Sequence, residues 1–332
     1  MKSEFTLFAD TKAALGNLMQ AVGPRLDGNV RVEWPDDRRT VEDALRELPE
    51  SADWPGLFEV LLEPRGAEKR VALVLDHEGP MGVVLLRSTE RHTWESATQW
   101  LVPGFLFPVR PGCTQTVLEA LPMTVEVGWW RYPEPPPSGP RVQNFRQREK
   151  HELSCATDFD AYWKQSGHLH TVHQAQRRCK DFVLKIDTED GAEWTIRNCE
   201  RKWRGDPAIP EPRLEDRIAA AKFLEQSGRH HTHVLFDGDT AIAGLTHLVH
   251  KDCVVAHMTY RRPEYESKKV GTFIYEAVFQ WAARSGYGAV DIGGGFEYKN
   301  RWAPPNGYIY EFMVAPAEKY VALKRLVKRL KR

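Results

Sequence analysis

The spacing of hydrophobic and polar positions changes several times along this chain, and the changes divide it. Thr11 to Ala21 and Thr40 to Leu48 carry apolar residues at helical spacing, with Thr40 as N-cap and Asp43 in the first turn of the second helix. The period then shortens: Leu57 to Glu63, Arg70 to Asp76 and Met81 to Arg87 read as consecutive strands, the last two joined by a turn at His77 to Pro80. Trp94 to Val109 is an aromatic-rich loop. Gln115 to Leu121 predicts a short helix, and Thr124 to Trp130 another strand. Pro133 to Pro140 holds proline at a density that favours extended, unpaired backbone and marks a boundary. A strongly charged segment, Asn144 to Glu152, follows it.

Beyond that, a helix starts near Thr157 or Asp158 as cap, with Phe159 and Trp163 on it. Phe182 to Asp187 predicts a strand, Trp194 to Trp203 and Arg213 to Gln226 two helices, and His233 to Ala243 a hairpin whose Asp237-Gly238 pair suits a type I′ turn. Val254 to Tyr260 completes a meander through Lys251-Asp252. The pattern therefore predicts an α/β (α+β) chain in two units, residues 1–140 and 141–332.

The densest chemistry lies between Glu266 and Pro304. Phe273, Ile274, Ala277, Val278 and Trp281 recur at helical spacing behind the loop Lys268-Lys269-Val270-Gly271-Thr272. The first backbone N–H groups of a helix lack partners within it, and glycine at its entrance lets a ligand approach that backbone, so this is a potential anion site or a solvated cap. Ala289 to Ile292 reads as a short buried strand. Three glycines follow, and then Glu297, Tyr298, Lys299, Arg301 and Trp302 arrive together.

Composition narrows the partners. The chain has 332 residues with 46 basic and 46 acidic side chains, so no global charge draws it to nucleic acid. No apolar run reaches the roughly 18 residues a membrane helix needs, and the first twenty residues lack a signal-peptide core; the expected location is cytoplasmic. Five scattered cysteines without a C-x-x-C pair predict reduced thiols. His168, His170 and His173 have no carboxylate or thiolate at companion spacing, so no metal is expected.

The glycine-entered helix, the following strand and the run Asp291-Ile-Gly-Gly-Gly-Phe-Glu297-Tyr298-Lys299-Asn-Arg301-Trp302 together resemble the GNAT acyltransferase superfamily. Within it they are similar to the CelD-like and Fem-type branch, in which two GNAT-like units stand in tandem. The order of elements from Phe182 to Val314 is also similar to that of a GNAT domain, and the amino-terminal unit resembles a degenerate copy. The resemblance implies two tandem domains, each a mixed, mostly antiparallel sheet flanked by helices. It also implies transfer of an acyl group from acyl-CoA to an amine or hydroxyl of a small polar molecule or cell-envelope precursor.

On that resemblance, Lys268, Lys269, Val270, Gly271 and Thr272 would hold the CoA pyrophosphate, although only Gly271 fits the glycine pattern usual at this loop. Asp291 and Glu297 are the candidates for the base that deprotonates the acceptor, with Asp291 alternatively capping the glycine loop. Tyr298 could protonate the leaving thiolate or position the thioester. Lys299 could neutralise developing charge or bind an acidic acceptor, and both could instead brace the loop. Two other functions remain open. Aminoacyl transfer from aminoacyl-tRNA would draw on the basic, amphipathic tail Lys324 to Arg332, which suits a phosphate backbone or an anionic membrane. A GNAT-fold binding protein without activity is the third.

Overall fold

In the computed structural model, the described residues are 30–49, 54–63, 67–89, 93–98, 107–130, 135–204, 211–294 and 297–316. The helix expected at Thr11 to Ala21 and the basic tail lie outside them.

Twelve described strands form one sheet. Its order is β1 (Arg31–Glu33), β2 (Lys69–Asp76), β3 (Gly79–Ser88), β4 (Trp94–Ser96), β5 (Val125–Trp130), β12 (Pro305–Val314), β6 (Val142–Ser154), β11 (Ala289–Gly294), β10 (Cys253–Arg261), β9 (Thr240–His250), β8 (His230–Asp237) and β7 (Val183–Ile186). All pairings are antiparallel except β4 with β5 and β10 with β11. A parallel pair needs a crossover, and each has a helix in it.

The two ends of the sheet repeat one plan. Helices α1 (Arg38–Glu47) and α2 (Trp54–Leu62) cover one face of β1–β5, packing Leu45, Leu57, Phe58 and Leu61 on Val71, Leu73 and Leu85. The crossover helix α3 (Thr114–Ala120) covers the other with Val117 and Leu118. At the carboxy-terminal end, α6 (Gly191–Arg204) and α7 (Glu211–Gln226) take the first position, around Ile196, Ile218 and Met258. The crossover helix α8 (Val270–Arg284) takes the second, backed by α4 (Phe159–Gln165) and α5 (Leu169–Arg178). The observed architecture is therefore two units built on one plan, each of mixed, mostly antiparallel sheet flanked by helices.

The units share strands. β5 is closed not by β6, which follows it in sequence, but by β12; β6 instead closes β11. β6 and β12 pair with each other along most of their length, so they form the seam of the sheet.

Several local expectations are corrected, and one segment that carried no expected element gains one. Leu57 to Glu63 is not a strand: Trp54–Leu62 is helical, because Leu57, Phe58 and Leu61 are buried at helical spacing while Leu62 turns outward. The cap of α1 is Asp37 rather than Thr40, its Oδ1 accepting from Thr40 N at 2.8 Å. The charged segment at Asn144 is the central strand β6. The hairpin forms, but its two central residues are Gly238 and Asp239, between paired Asp237 and Thr240, and only Gly238 (φ +56°) is at positive φ, so it is not the type I′ turn expected; the turn at Lys251 (φ +53°) forms, and Asp158 caps α4 through Ala161 N at 3.1 Å.

Helix α8 is the element that positions the site. Val270, Ile274, Val278, Phe279 and Ala282 are wholly buried along one stripe, on β8–β11. Each large side chain among them contributes about 1.5–3 kcal/mol by leaving water.

Candidate functional site

β10 and β11 run side by side only from Cys253 to Val255, opposite Ala289 to Asp291. Beyond that register β10 continues with β9 and β11 with β6 alone, so the two strands part and leave an opening. Gly294 ends β11 where the Glu149 carbonyl oxygen would lie 2.2 Å from an added Cβ, a spacing that only glycine satisfies.

The entrance of α8 faces this opening from the β10 side. Lys269 sits in left-handed conformation (φ +59°), and the Thr272 and Phe273 N–H groups turn back to its carbonyl at 3.0 and 3.1 Å. This leaves the Val270 and Gly271 amides as the open donors of the first turn. Arg261, the last residue of β10, lies across the same entrance, its Nη1 3.3 Å from where a Gly271 Cβ would stand, and it pairs with Glu266 at 2.9 Å. The Lys268 carbonyl accepts from Cys179 Sγ at 3.5 Å, and Arg178 donates to the Ser267 carbonyl, so α5 fixes the loop from behind.

On the other side of the opening, the 3-10 turn Glu297–Arg301 carries Tyr298 and Lys299. Trp302 anchors it, with its ring 5.6 Å from both Tyr275 and Phe279 and edge-on to Trp163 at 5.4 Å. His151 donates through Nδ1 to the Ala303 carbonyl at 2.9 Å. Lys299 is buried and donates to the Gly294 carbonyl at 3.3 Å, which ties the turn to the strand it leaves.

Tyr298 is 41% exposed, and its hydroxyl is hydrogen-bonded to that of buried Tyr275 of α8. Thr259 of β10 lies 3.2 Å from the Tyr275 hydroxyl. The three hydroxyls therefore form a chain that ends at an accessible phenol. Burial raises the Tyr298 pKa, against the hydrogen bond with Tyr275 and the nearby Arg261 and Arg301 charges; burial likewise raises that of Tyr275. Both remain protonated near neutrality.

Asp291 stands apart. It is buried opposite Val255, four residues back along β10 from Thr259 and so about 13 Å down the strand. Its Oδ1 accepts from Gly293 N at 2.6 Å, and its Oδ2 lies 4.0 Å from Lys150, which also reaches Glu152 at 2.7 Å. The structure therefore brings Lys268 to Thr272, Tyr298 and Lys299 to one opening and leaves Asp291 at its foot. Sequence reasoning missed Thr259, Arg261 and Tyr275. The signal for Arg261 was its place at a strand end beside the loop, while Tyr275 was hidden within an apolar helical stripe.

Residues 166–300 match the family described as an acetyltransferase (GNAT) domain. The matched stretch contains the entrance of α8, β11 and Tyr298. No curated protein matches the chain. Among solved structures it is similar to a tandem GNAT protein from the clavulanic acid biosynthesis pathway, at 12% identity and TM-score 0.49, covering 87% of this chain and 99% of that one. It is also similar to L-PGS from Bacillus licheniformis (12%, TM-score 0.49, 90% and 98% covered) and to FemX (10%, TM-score 0.47, 86% and 98% covered). At these identities and scores none of them assigns a donor or an acceptor here. Among the described residues no group of three or more His, Cys, Asp or Glu is placed to hold a metal, and no helix is long and apolar enough to cross a membrane.

Proposed function

We propose that this chain is an N- or O-acyltransferase that takes its acyl group from acyl-CoA and gives it to an amine or hydroxyl of a small polar molecule or cell-envelope precursor. The observation that carries the reading is the hydroxyl chain Thr259, Tyr275, Tyr298 ending beside the open amides of Val270 and Gly271. A pyrophosphate on those amides, flanked by Lys268, Lys269 and Arg261, would be held by the positive end of α8.

In the reaction the acceptor nitrogen or oxygen attacks the thioester carbonyl, a new C–N or C–O bond forms, and the C–S bond breaks. The acceptor loses one proton and the departing thiolate gains one. Tyr298 is the acid in this reading, because its phenol is accessible and its raised pKa keeps it protonated through the neutral range. Glu297, on the same turn, is the candidate base. Lys299 and Asp291 have positioning roles, Lys299 tying the turn to Gly294 and Asp291 bracing Gly293 beside Lys150.

Thermal-shift measurements with acetyl-CoA, longer acyl-CoAs and total tRNA test the donor, since a ligand bound only by the native state raises the melting temperature. A rise with a CoA thioester, lost in Gly271→Trp, is expected. A rise with tRNA alone would replace this reading by aminoacyl transfer, and no rise with any donor would favour a binding protein.

A further inference from the structure

β6 and β12 occupy the centre of a twelve-stranded sheet, flanked on either side by strands that helices cover on both faces. β6 and β12 are not so covered. Residues 144–147 and 149 of β6 are exposed, and of the two tyrosines on β12 Tyr308 is exposed and Tyr310 half-buried. Phe145 and Tyr308 keep 48% and 51% of their surface in water, an unusual cost for large rings on a central strand.

The exposed rings share one face. Tyr308 lies directly opposite Glu149 and Tyr310 directly opposite Gln147, and residues opposite one another in an antiparallel pair project to the same side. Phe145 belongs to that side as well, its ring 5.4 Å from Tyr310 and 6.3 Å from Phe312, while Tyr308 and Tyr310 are 6.3 Å apart. This is the face that carries α3 and α8, so the rings floor a trough between the two crossover helices. The trough adjoins the opening: Gly294, the last residue of β11, presses on the Glu149 carbonyl, and β6 and β12 continue past that point.

Its chemistry selects an occupant. Flat rings alternate with the planar hydrogen-bonding groups of Gln147 and Glu149, both exposed. The cations of this strand, Arg146, Arg148 and Lys150, project to the opposite face by alternation, where Arg148 is paired with Glu311 at 3.1 Å and Lys150 with Glu152 at 2.7 Å. A phosphate backbone or an anionic membrane would meet the Glu149 carboxylate here and none of the cations of β6, and an apolar helix would meet polar groups between the rings. A neutral polyhydroxylated molecule meets what it requires, an aromatic surface for its C–H faces and acceptors for its hydroxyls.

We propose that Phe145, Tyr308 and Tyr310, with Gln147 and Glu149, form a saccharide-binding platform that receives a glycan-bearing acceptor at the mouth of the acyl-transfer site. The placement of the sugar as acceptor rests on the reading under Proposed function; the platform itself does not.

Titration of the full chain with cellotetraose and chitotetraose, read by saturation-transfer NMR and tryptophan fluorescence, tests it. Saturable binding of one of them is expected, weakened about tenfold or more in Tyr308→Ala and in Phe145→Ala, a loss equivalent to one good ring contact. Circular dichroism and the melting temperature report whether each variant is folded, and Glu149→Gln supplies a second variant that leaves the rings in place and is expected to weaken binding. Absence of binding by both tetrasaccharides overturns the platform, as does binding unchanged in all three variants, and as does saturable binding of anionic vesicles or of RNA to the rings instead. Acetyl-CoA binding measured in parallel separates the two ideas. CoA binding without sugar binding removes the platform alone. Sugar binding without any CoA response leaves the platform and removes the acyl-CoA reading.

Discussion

At the scale of single residues the proposed chemistry turns on one phenol. Tyr298→Phe keeps the ring that faces the opening and removes only the transferable proton, so its expected effect is a fall in kcat of about 100-fold, the usual loss of a general acid, with KM for the CoA thioester little changed. Tyr275→Phe breaks the hydroxyl chain without touching substrate and is expected to cost less. Because burial raises the Tyr298 pKa, the acid form persists through the neutral range, and the alkaline fall in kcat belongs above the ordinary tyrosine range near 10. A fall centred near neutrality would assign the acid elsewhere. For the two carboxylates, steady-state rates of Asp291→Asn and Glu297→Gln across the pH range where the acceptor is partly protonated decide the base. Asn retains an oxygen for Gly293 N–H but loses the charge beside Lys150, so Asp291→Asn is expected to lower the melting temperature while keeping most of its activity. Tyr298 and Lys299 were legible in the sequence because a crowd of ionisable residues after glycines marks a strand-end loop. Thr259 was not, since only the parallel pairing of β10 with β11 brings it to that loop, and Arg261 was overlooked at its strand end beside the entrance of α8.

At the scale of elements, α8 is held on the sheet by an unusual contact. Trp281 lies among the rings of His231, His233 and His247, at centroid distances of 5.0, 5.5 and 4.6 Å. His233 and His247 are wholly buried. Burial pushes the His233 pKa down to about 4, with Asp187 working against it and His231 and Arg284 adding to it; burial and the neighbouring histidines push His247 further in the same direction. His231, bonded to Asp187 at 2.7 Å, is shifted upward and opposes them in the stability balance. Unfolded, His233 and His247 take up protons near 6.5, whereas in the native state His233 stays neutral down to about 4. The unfolded chain therefore binds more protons across that window, and stability rises with pH through it. His233 alone accounts for something on the order of 3 kcal/mol of the change. Urea unfolding at pH 4.5, 5.5 and 7 is expected to show the slope, and a His233→Leu, His247→Leu variant to flatten it; an equal slope in both proteins would contradict the argument. The helix itself was plain in the sequence. Leu57 to Glu63 was misread because a short apolar run fits strand and helix alike, and β6 was missed because exposure on both faces leaves no alternation to see.

At the scale of the whole molecule, the seam decides whether the two units are separable. A cut after residue 140 takes β12 away from β5, where Trp130 packs on Phe312 at 5.7 Å, and leaves a five-stranded fragment with an open hydrophobic edge. It also severs a buried ion network in which Asp216 of α7 binds Lys69 at 2.7 Å and Arg87 at 3.2 Å, while Arg87 holds Glu95 at 2.7 Å and Arg217 pairs with Glu200. Lys69, Arg87, Glu95 and Asp216 are each about 5% exposed or less, so loss of one partner strands the others away from water. Asp216→Asn is expected to destabilise the full chain by about 3–5 kcal/mol, the cost of an uncompensated buried charge. More tellingly, the shared strands require both units to unfold together. Urea unfolding followed by tryptophan fluorescence and by far-ultraviolet circular dichroism is expected to give one coincident transition in the wild type and in Asp216→Asn. Two separated transitions would mean that each unit closes its own sheet, which the exchange of β6 and β12 denies.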